Sequence, residues 1–294
     1  MIPILFEIGP IKIYSFGLMM GIAFIVAHLL LTREFRRKGL PEEKAGTITL
    51  IALAAGVAGA KLFSLLENWD QFMADPVGET FSAAGLTFFG GLILAIVCLW
   101  FYIRKQRLGF LRVADSAAPS LILAYGIGRI GCQLAGDGDY GIPTDVPWAM
   151  TYPKGTVSTL SVENKPLTHL YTVIFPDRPV PVDIPVHPTP VYETLAAIAI
   201  FTGLWLLRKR PMAVGMMFGI YLVLAGVERF LVEFLRLNPE YGQLSQAQWI
   251  ALGMMLVGGI LIWTLRKREP EHYPLTTFQG RDKGKKRTAR AASR

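Results

Sequence analysis

One guanidinium group stands near the end of a mainly apolar stretch in the middle of the chain. Residues 113–127 lead into residues 128–141, GRIGCQLAGDGDYG, in which Arg129 is the first charged side chain. A charge within a membrane helix is costly and indicates a functional site by default. Arg129, Cys132 and Gln133 share one helical face by their spacing, and Tyr125 lies one turn earlier. We expect this polar face to line a cavity.

A second group of charges follows a later apolar stretch. Arg229, Glu233 and Arg236 are spaced at i, i+4 and i+7, so they form one stripe that should face protein or water rather than lipid. Glu193 lies near the start of another apolar segment, and Lys61 lies within an earlier one. Five charges are predicted to lie in the outer half of the membrane: Lys61, Arg129, Glu193, Arg229 and Glu233. For Lys61, snorkelling to the interface explains the position as well as a ligand does.

Two kinds of chemistry fit these charges. Arg129 and Arg229 can form ion pairs with Glu193 and Glu233 that lock the helices together, which is not by itself a sign of function. Alternatively, the arginines exceed what the carboxylates need, and the surplus guanidinium binds an anion through two oxygen contacts. The natural anion at that depth is the phosphate of a phospholipid.

Long apolar blocks must position these side chains. The chain of 294 residues is 52% hydrophobic, and its apolar residues are gathered into blocks separated by charged clusters. Each block is long enough to cross about 30 Å of hydrocarbon. The pattern predicts an all-α integral membrane protein with seven transmembrane helices, at residues 14–31, 46–66, 85–103, 113–134, 188–207, 212–234 and 247–265.

Basic residues set the orientation of these helices. Most of the 30 Lys and Arg residues follow the first, third, fifth and seventh spans, and short cytoplasmic loops retain such residues. The N-terminus is therefore predicted outside and the C-terminus in the cytoplasm. The net charge of +8 then reflects topology, and we predict no binding of nucleic acid, since the basic clusters lack interleaved stacking aromatics.

The remaining segments divide the chain into four parts. Residues 1–135 carry four spans, 136–186 form a small periplasmic cap, 187–268 carry three spans, and 269–294 form a basic cytoplasmic tail. Residues 1–13 are expected to be an interfacial leader, and the cap to contain short β-type runs such as residues 168–175. Thr189 is predicted to cap the fifth span, with Pro190 in its first turn. Cys98 and Cys132 suggest neither a disulfide nor a zinc site.

Several motifs in order along the chain resemble one family, the bacterial prolipoprotein diacylglyceryl transferases. The resemblance covers nearly the whole chain. It is carried by YSFGLMMG at 14–21, QFMADP at 71–76, FFGG at 88–91, GRIG at 128–131, HPTPVYE at 187–193 and the charged stripe at 229–236.

The resemblance implies a multi-pass enzyme of the bacterial inner membrane. Such an enzyme moves the diacylglyceryl group of phosphatidylglycerol to the thiol of a lipobox cysteine in a prolipoprotein, the first step of lipoprotein maturation, without metal or soluble cofactor. Arg129 and Arg229 would bind the lipid phosphate and stabilise the departing glycerol phosphate as catalytic residues. The expected substrate-binding residues are Arg129, Arg229, Glu193, Glu233, Gly141, Tyr192, Lys61 and Cys132.

The chain departs from the family pattern at the expected base. Phe89 stands where the family usually has histidine, Phe16 where it has tyrosine, and Cys132 where it has asparagine. The loop before Gly141 is one residue longer, so that Asp137 or Asp139 lies near the family's glutamate. Phenylalanine cannot accept the proton of the acceptor thiol.

Three outcomes remain open from the sequence. The thiol needs little activation, because its pKa near 8.5 already supplies some thiolate, so the arginines alone can suffice. His187 or Asp137 can serve as the base. In the third outcome, the chain is a related transferase with a different acceptor, or a non-catalytic phospholipid-binding or transport protein on the same fold.

Overall fold

A computed structural model describes residues 1–9, 11–82, 87–238, 240–241 and 243–270. Long helices dominate this part of the chain. The predicted start of the third span at residues 85–86 and most of the tail lie outside the described residues. The helices are α1 (Ser15–Arg37), α2 (Glu43–Glu67), α3 (Trp69–Ala74), α4 (Pro76–Phe81), α5 (Phe88–Lys105), α6 (Phe110–Ala135), α7 (Lys165–Ile174), α8 (Thr189–Leu207), α9 (Met216–Val232) and α10 (Gln246–Leu265).

Five of the described helices are long and apolar enough to cross a membrane: α1, α2, α6, α8 and α10. α5 and α9 occupy the third and sixth predicted spans with 18 and 17 residues. Three predicted ends fell short by at least three residues, since α1 continues to Arg37, α2 begins at Glu43 and α6 begins at Phe110. α6 is the most enclosed of the five helices, with half of its apolar window buried.

Glycines allow the helices to approach closely. A side chain at Gly59 of α2 would meet the backbone oxygen of Gly90 in α5 at 2.5 Å, and one at Gly126 of α6 would meet Ala197 of α8 at 2.8 Å. Small residues let membrane helices pack backbone to backbone in this way. Gly59 and Gly126 thus permit close contacts between helices, and α6 is held against α8 near the charged residues.

The first residues form a β-hairpin, so the prediction of a simple interfacial leader was incomplete. β1 (Ile4–Ile8) pairs antiparallel with β2 (Ile11–Tyr14). Gly9 has a φ of +60°, which a glycine adopts without strain and which permits the tight turn. Glu7 and Lys12 face each other across the strands at 3.2 Å.

The segment between α6 and α8 has its own small core of Tyr140, Tyr152, Leu167, Tyr171, Ile184 and Val186. The β-type run predicted at residues 168–175 was wrong, because this stretch belongs to helix α7. Asn164 caps α7 by accepting from the backbone of Leu167 at 3.1 Å. Leu167 and Tyr171 are spaced by four residues and are buried together, which a helix achieves and a strand does not.

Two short strands connect the last helices. A 3₁₀ helix, Glu233–Leu235, extends α9, and β3 (Glu240–Tyr241) pairs with β4 (Leu244–Ser245) before α10 begins. Ser245 and Gln248 form a capping box at the start of α10.

Candidate functional site

The ends of α6, α8 and α9 meet the start of the cap in a group of buried charges. It contains three arginines and three carboxylates from four segments of the chain. We call it the arginine cluster, and its members are Arg129, Arg229, Arg236, Asp139, Glu193 and Glu233.

Glu193 lies at the centre of the arginine cluster. Its side chain is 0% exposed, and its oxygens lie 3.4 Å from Nε of Arg129, 3.3 Å from Nη1 of Arg229 and 3.5 Å from Nη1 of Arg236. The hydroxyl of Tyr125 donates to Oε1 of Glu193 at 2.8 Å, and the Arg129 guanidinium stands over the Tyr125 ring. One carboxylate on α8 therefore holds residues of α6 and of the α9 end together.

Asp139 supplies a carboxylate for which the sequence left two positions open, Asp137 and Asp139. It pairs with both Arg129 and Arg236, so Asp139 rather than Asp137 faces the arginines. Burial alone would raise the pKa of Asp139, but the two guanidinium groups outweigh this effect and lower it. The cluster thus matches three arginines with three carboxylates. The expected surplus of guanidinium charge was wrong, because the loop after α6 folds back and brings Asp139 in.

Glu233 joins α9 to the beginning of α10. Its Oε2 lies 2.6 Å from Nη2 of Arg229, as the i, i+4 spacing predicted. Its Oε1 accepts from the Ser245 hydroxyl and from Nδ2 of Asn238, each at 2.7 Å. These contacts fix the direction of Arg229 and leave Glu233 only 2% exposed.

The three arginines differ in their access to the surroundings. Arg129 and Arg229 keep 17% and 21% of their side-chain surface exposed, whereas Arg236 keeps 7%. A guanidinium that is held by carboxylates and still partly open can bind an anion in a fixed geometry. The cluster is therefore suited to a phosphate at Arg129 and Arg229, with Arg236 buried behind them.

A family model described as prolipoprotein diacylglyceryl transferase matches residues 3–264, which include all six members of the arginine cluster. The chain belongs to this family. Family membership and the five apolar helices together identify a multi-pass membrane protein and a transferase.

The similarity to individual members extends over nearly full length. A phosphatidylglycerol–prolipoprotein diacylglyceryl transferase of Chromohalobacter salexigens is 31% identical over 281 residues, covering 91% of this chain and 93% of the relative. The second such enzyme of Clostridium perfringens is 31% identical over 275 residues, covering 90% and 95%. The enzyme of Clostridium tetani is 29% identical over 259 residues, covering 87% and 94%.

Gly141 lies where the transferase chain crosses close to itself. A side chain there would meet Cγ2 of Thr189 at 2.9 Å and Cβ of His187 at 3.0 Å, as well as the carbonyl of Leu235. The amide of Gly141 donates to the carbonyl of His187 at 2.8 Å. Its role in this position is to let the loop carrying Asp139 approach α8 and the end of α9.

Thr189 does not cap α8 as predicted. The helix begins at Thr189 itself, after Pro188, and no side chain caps it. The Thr189 hydroxyl instead donates to the carbonyl of Asp139 at 2.5 Å. This hydrogen bond ties the loop that carries Asp139 to the start of α8. Thr189 therefore positions this loop and does not cap the helix.

His187 and Tyr192 form a polar chain at the start of α8. Nδ1 of His187 lies 3.2 Å from the Tyr192 hydroxyl, which accepts from the indole of Trp148 at 2.7 Å. Burial lowers the pKa of His187, so the imidazole is neutral at pH 7 and can accept a proton. Hydrogen bonds join these residues to the cap rather than to the arginine cluster.

Cys132 and Asp137 lie beside the arginine cluster. The Cys132 thiol is buried and forms a hydrogen bond with the side chain of Asp137. Its Sγ lies 3.8 Å from Nη1 of Arg129. Burial and the neighbouring charge of Asp139 raise the pKa of Asp137. Cys132 is thus in the site, and the raised pKa of Asp137 makes its carboxylate a stronger base than an ordinary aspartate.

The donors of Cys132, Asp137 and Asp139 lie within 4.8 Å of one another, a spacing compatible with a metal ion. However, Asp139 already pairs with two guanidinium groups, and these positive charges would repel a cation. We therefore assign no metal to this group.

Lys61 forms a hydrogen bond with a residue outside the arginine cluster. Its ammonium group donates to the carbonyl of Ser82 at 3.0 Å, which ties α2 to the chain after α4.

Phe89 is the second residue of α5, and Phe16 of α1 packs towards Gly131 of α6, one residue before Cys132. Apolar rings thus stand at both positions where the family pattern has polar side chains.

Two cluster members were missing from the predicted site residues. Arg236 was recognised as part of the charged stripe, and its spacing of seven residues from Arg229 was the available signal. Asp139 lies in the loop that is one residue longer than the family pattern, and no periodic pattern could have chosen it over Asp137.

Proposed function

We propose that the protein transfers the diacylglyceryl group of phosphatidylglycerol to the thiol of a lipobox cysteine in prolipoproteins. The observation that carries this proposal is the pair Arg129 and Arg229, held by Glu193 and still partly exposed, in a chain of this family. A lipid phosphate is the anion that this pair fits, because guanidinium groups bind phosphate oxygens in pairs.

The proposed topology has seven spans with the N-terminus outside the bacterial inner membrane. α5 and α9, with 18 and 17 residues, are within the range of about 17 to 25 residues that can cross a bilayer. Basic residues follow α1, α5, α8 and α10 at one side. The arginine cluster and the cap, residues 136–186, then lie at the periplasmic side between the membrane parts 1–135 and 187–268, and residues 269–294 form the cytoplasmic tail.

The reaction requires attack by sulfur on the glyceryl carbon that carries the phosphate. A carbon–sulfur bond forms while the carbon–oxygen bond breaks, and glycerol phosphate leaves with the electron pair. Arg129 and Arg229 would stabilise the charge that develops on the departing phosphate, an effect that is large when the donors are already in place. Glu193, Glu233 and Asp139 would keep those donors in place.

Asp137 is the base that the contacts favour in the absence of a histidine at position 89. If it accepts the thiol proton, the transfer rate should fall as pH drops through its raised pKa, because the protonated carboxyl cannot act as a base. We expect Asp137→Asn to lower the rate and to remove that acidic limb of the pH profile. His187→Gln is the matched variant. If His187→Gln lowers the rate and removes the acidic limb while Asp137→Asn keeps the native pH profile, His187 is the base instead.

The activity can be tested by release of glycerol phosphate from phosphatidylglycerol in the presence of a lipobox peptide. Release should require the peptide cysteine, so that a Cys→Ser peptide gives none, and a thioether-linked lipid should appear on the peptide. Phe89→His should retain this activity. If activity appears only in Phe89→His, the native protein binds the lipid but does not carry out the transfer. This is the non-catalytic alternative, which the phenylalanine at position 89 favours because it cannot accept a proton. Release only with cell extract would indicate a different acceptor.

A further inference from the structure

An open cavity lies beside the loop that joins α5 to α6. We call it the loop cavity. Its volume of about 340 Å³ falls within the range of about 300 to 1,000 Å³ that is usual for ligand pockets. Phe110, the first residue of α6, is 19 positions before Arg129, which corresponds to about 28 Å along a helix. The loop cavity is therefore separate from the arginine cluster. Its lining residues are Trp100, Ile103, Arg104, Arg107, Gly109 and Phe110.

Two arginines give the loop cavity its charge. Arg104 and Arg107 are both exposed. Within the described ranges of the chain, neither of them forms an ion pair, and no Asp or Glu lines the cavity. The guanidinium of Arg104 instead lies 5.2 Å from the centroid of the Trp100 ring, one helical turn earlier. This cation–π contact orients one of two positive charges that no described carboxylate balances.

Arg107 has an unusual backbone conformation. Its φ is +56°, and no other non-glycine residue in the described part of the chain has a positive φ. The amide of Leu108 donates to the carbonyl of Ile103 at 3.2 Å, and the amide of Arg107 donates to the carbonyl of Arg104 at 3.1 Å. These two bonds form a Schellman motif at the end of α5, in which the left-handed position is usually glycine.

The residue type at position 107 therefore has a cost. A side chain strains the left-handed conformation, whereas glycine adopts it freely. Strained backbone positions of this kind occur preferentially where a ligand is bound. Because Arg107 also lines the loop cavity, its side chain has a location in which a guanidinium group would offset the strain by binding an anion.

The wall of the loop cavity indicates which anion fits. Trp100, Ile103 and Phe110 supply an apolar surface next to the two guanidinium groups. Guanidinium groups bind phosphate oxygens through paired contacts. Tryptophan is enriched at the level of the lipid headgroups, where one side of its ring meets hydrocarbon. The combination suits a phosphate that is attached to a hydrocarbon chain.

We propose that the loop cavity binds a phosphate group, which an anionic phospholipid or a soluble phosphate ester can carry. The apolar wall favours the phospholipid. Basic sites at the cytoplasmic ends of membrane helices bind such headgroups, and the proposed topology places the loop between α5 and α6 on that side. The volume, the charge and the backbone strain of the site do not depend on the transferase activity.

The test measures binding to the full chain in detergent, with Arg129→Ala in every sample to weaken binding at the arginine cluster. The melting temperature is followed during titration with short-chain phosphatidylglycerol, inorganic phosphate or short-chain phosphatidylcholine. Saturable stabilisation by phosphatidylglycerol without an effect of inorganic phosphate identifies a lipid ligand, and equal stabilisation by inorganic phosphate identifies a soluble one. Phosphatidylcholine has no net charge and should produce no saturable shift.

Three variants locate the binding. Arg104→Ala and Arg107→Gly should each raise Kd about fivefold, the usual contribution of one basic residue near a membrane surface. Lys105→Ala is the matched control, because Lys105 is exposed and lies next to Arg104 but does not line the cavity. It should leave Kd unchanged.

Arg107→Gly also tests the strain. Without lipid, its melting temperature should exceed that of the parent protein, because glycine adopts the left-handed conformation freely. A rise in melting temperature together with a weaker response to the phosphate probe supports the proposal. An unchanged Kd in Arg104→Ala and Arg107→Gly, an equal effect of Lys105→Ala, or no saturable response to either phosphate probe would overturn it.

Discussion

Arg129→Ala should lower the rate of diacylglyceryl transfer about 100- to 1,000-fold, the usual loss when one preorganised donor to a developing negative charge is removed. Arg129 is held by Glu193 and Asp139 and remains 17% exposed, so its guanidinium is oriented before the lipid arrives. The measurement is the rate of glycerol phosphate release with a lipobox peptide. Melting temperatures are recorded in parallel to confirm that the variant is folded.

Arg129→Lys is the informative companion variant. Lysine keeps the positive charge but lacks the planar fork that binds two oxygens at once. We expect it to restore only a small part of the rate. Full activity in Arg129→Lys would mean that charge alone matters, and full activity in Arg129→Ala would remove this residue from the catalytic site.

Glu193→Ala should have the largest effect on stability. Removing one partner of a buried ion pair costs about 3 to 5 kcal/mol, because the remaining charges are left without compensation. Glu193 is 0% exposed and lies against Arg129, Arg229 and Arg236. The free energy of unfolding in detergent should fall by about this amount, and transfer activity should fall with it.

Two variants define the cause of that loss. Glu193→Gln can still accept from Tyr125 but has no charge, so its stability should lie between those of Glu193→Ala and the native protein. Glu7→Ala removes the partner of Lys12 from an ion pair in which both side chains are about half exposed. Exposed pairs contribute less than about 1 kcal/mol. A comparable loss in Glu7→Ala would argue against the central role of Glu193.

The helical frame was predictable because apolar length is a strong signal. The apolar blocks coincide with long helices, and glycines such as Gly59 and Gly126 mark close packing. The hairpin at the N-terminus and helix α7 were not predictable in the same way. Each is short, and each depends on a local feature, the turn at Gly9 or the Asn164 cap together with burial in the cap core.

The candidate site was predictable where charges interrupt apolar helices. Arg129, Glu193, Arg229 and Glu233 meet as their positions indicated. The balance of charge was not predictable, because Asp139 stands in an irregular loop whose path is set by Gly141 and Thr189. Cys132 joins the site through the helical face it shares with Arg129, whereas Lys61 is bound to the carbonyl of Ser82.

The long separation in sequence of the cluster members has a consequence for biogenesis. Asp139 and Arg236 are 97 residues apart, and Glu193 and Arg229 are 36 residues apart. At a synthesis rate of about 5 to 20 residues per second, Asp139 waits about 5 to 20 seconds for Arg236 to leave the ribosome. During that interval Arg129 must enter the bilayer without its full set of partners. Arg129 lies near the end of α6, and the complete set of ion pairs in the arginine cluster can form only after α9 and Arg236 have been delivered.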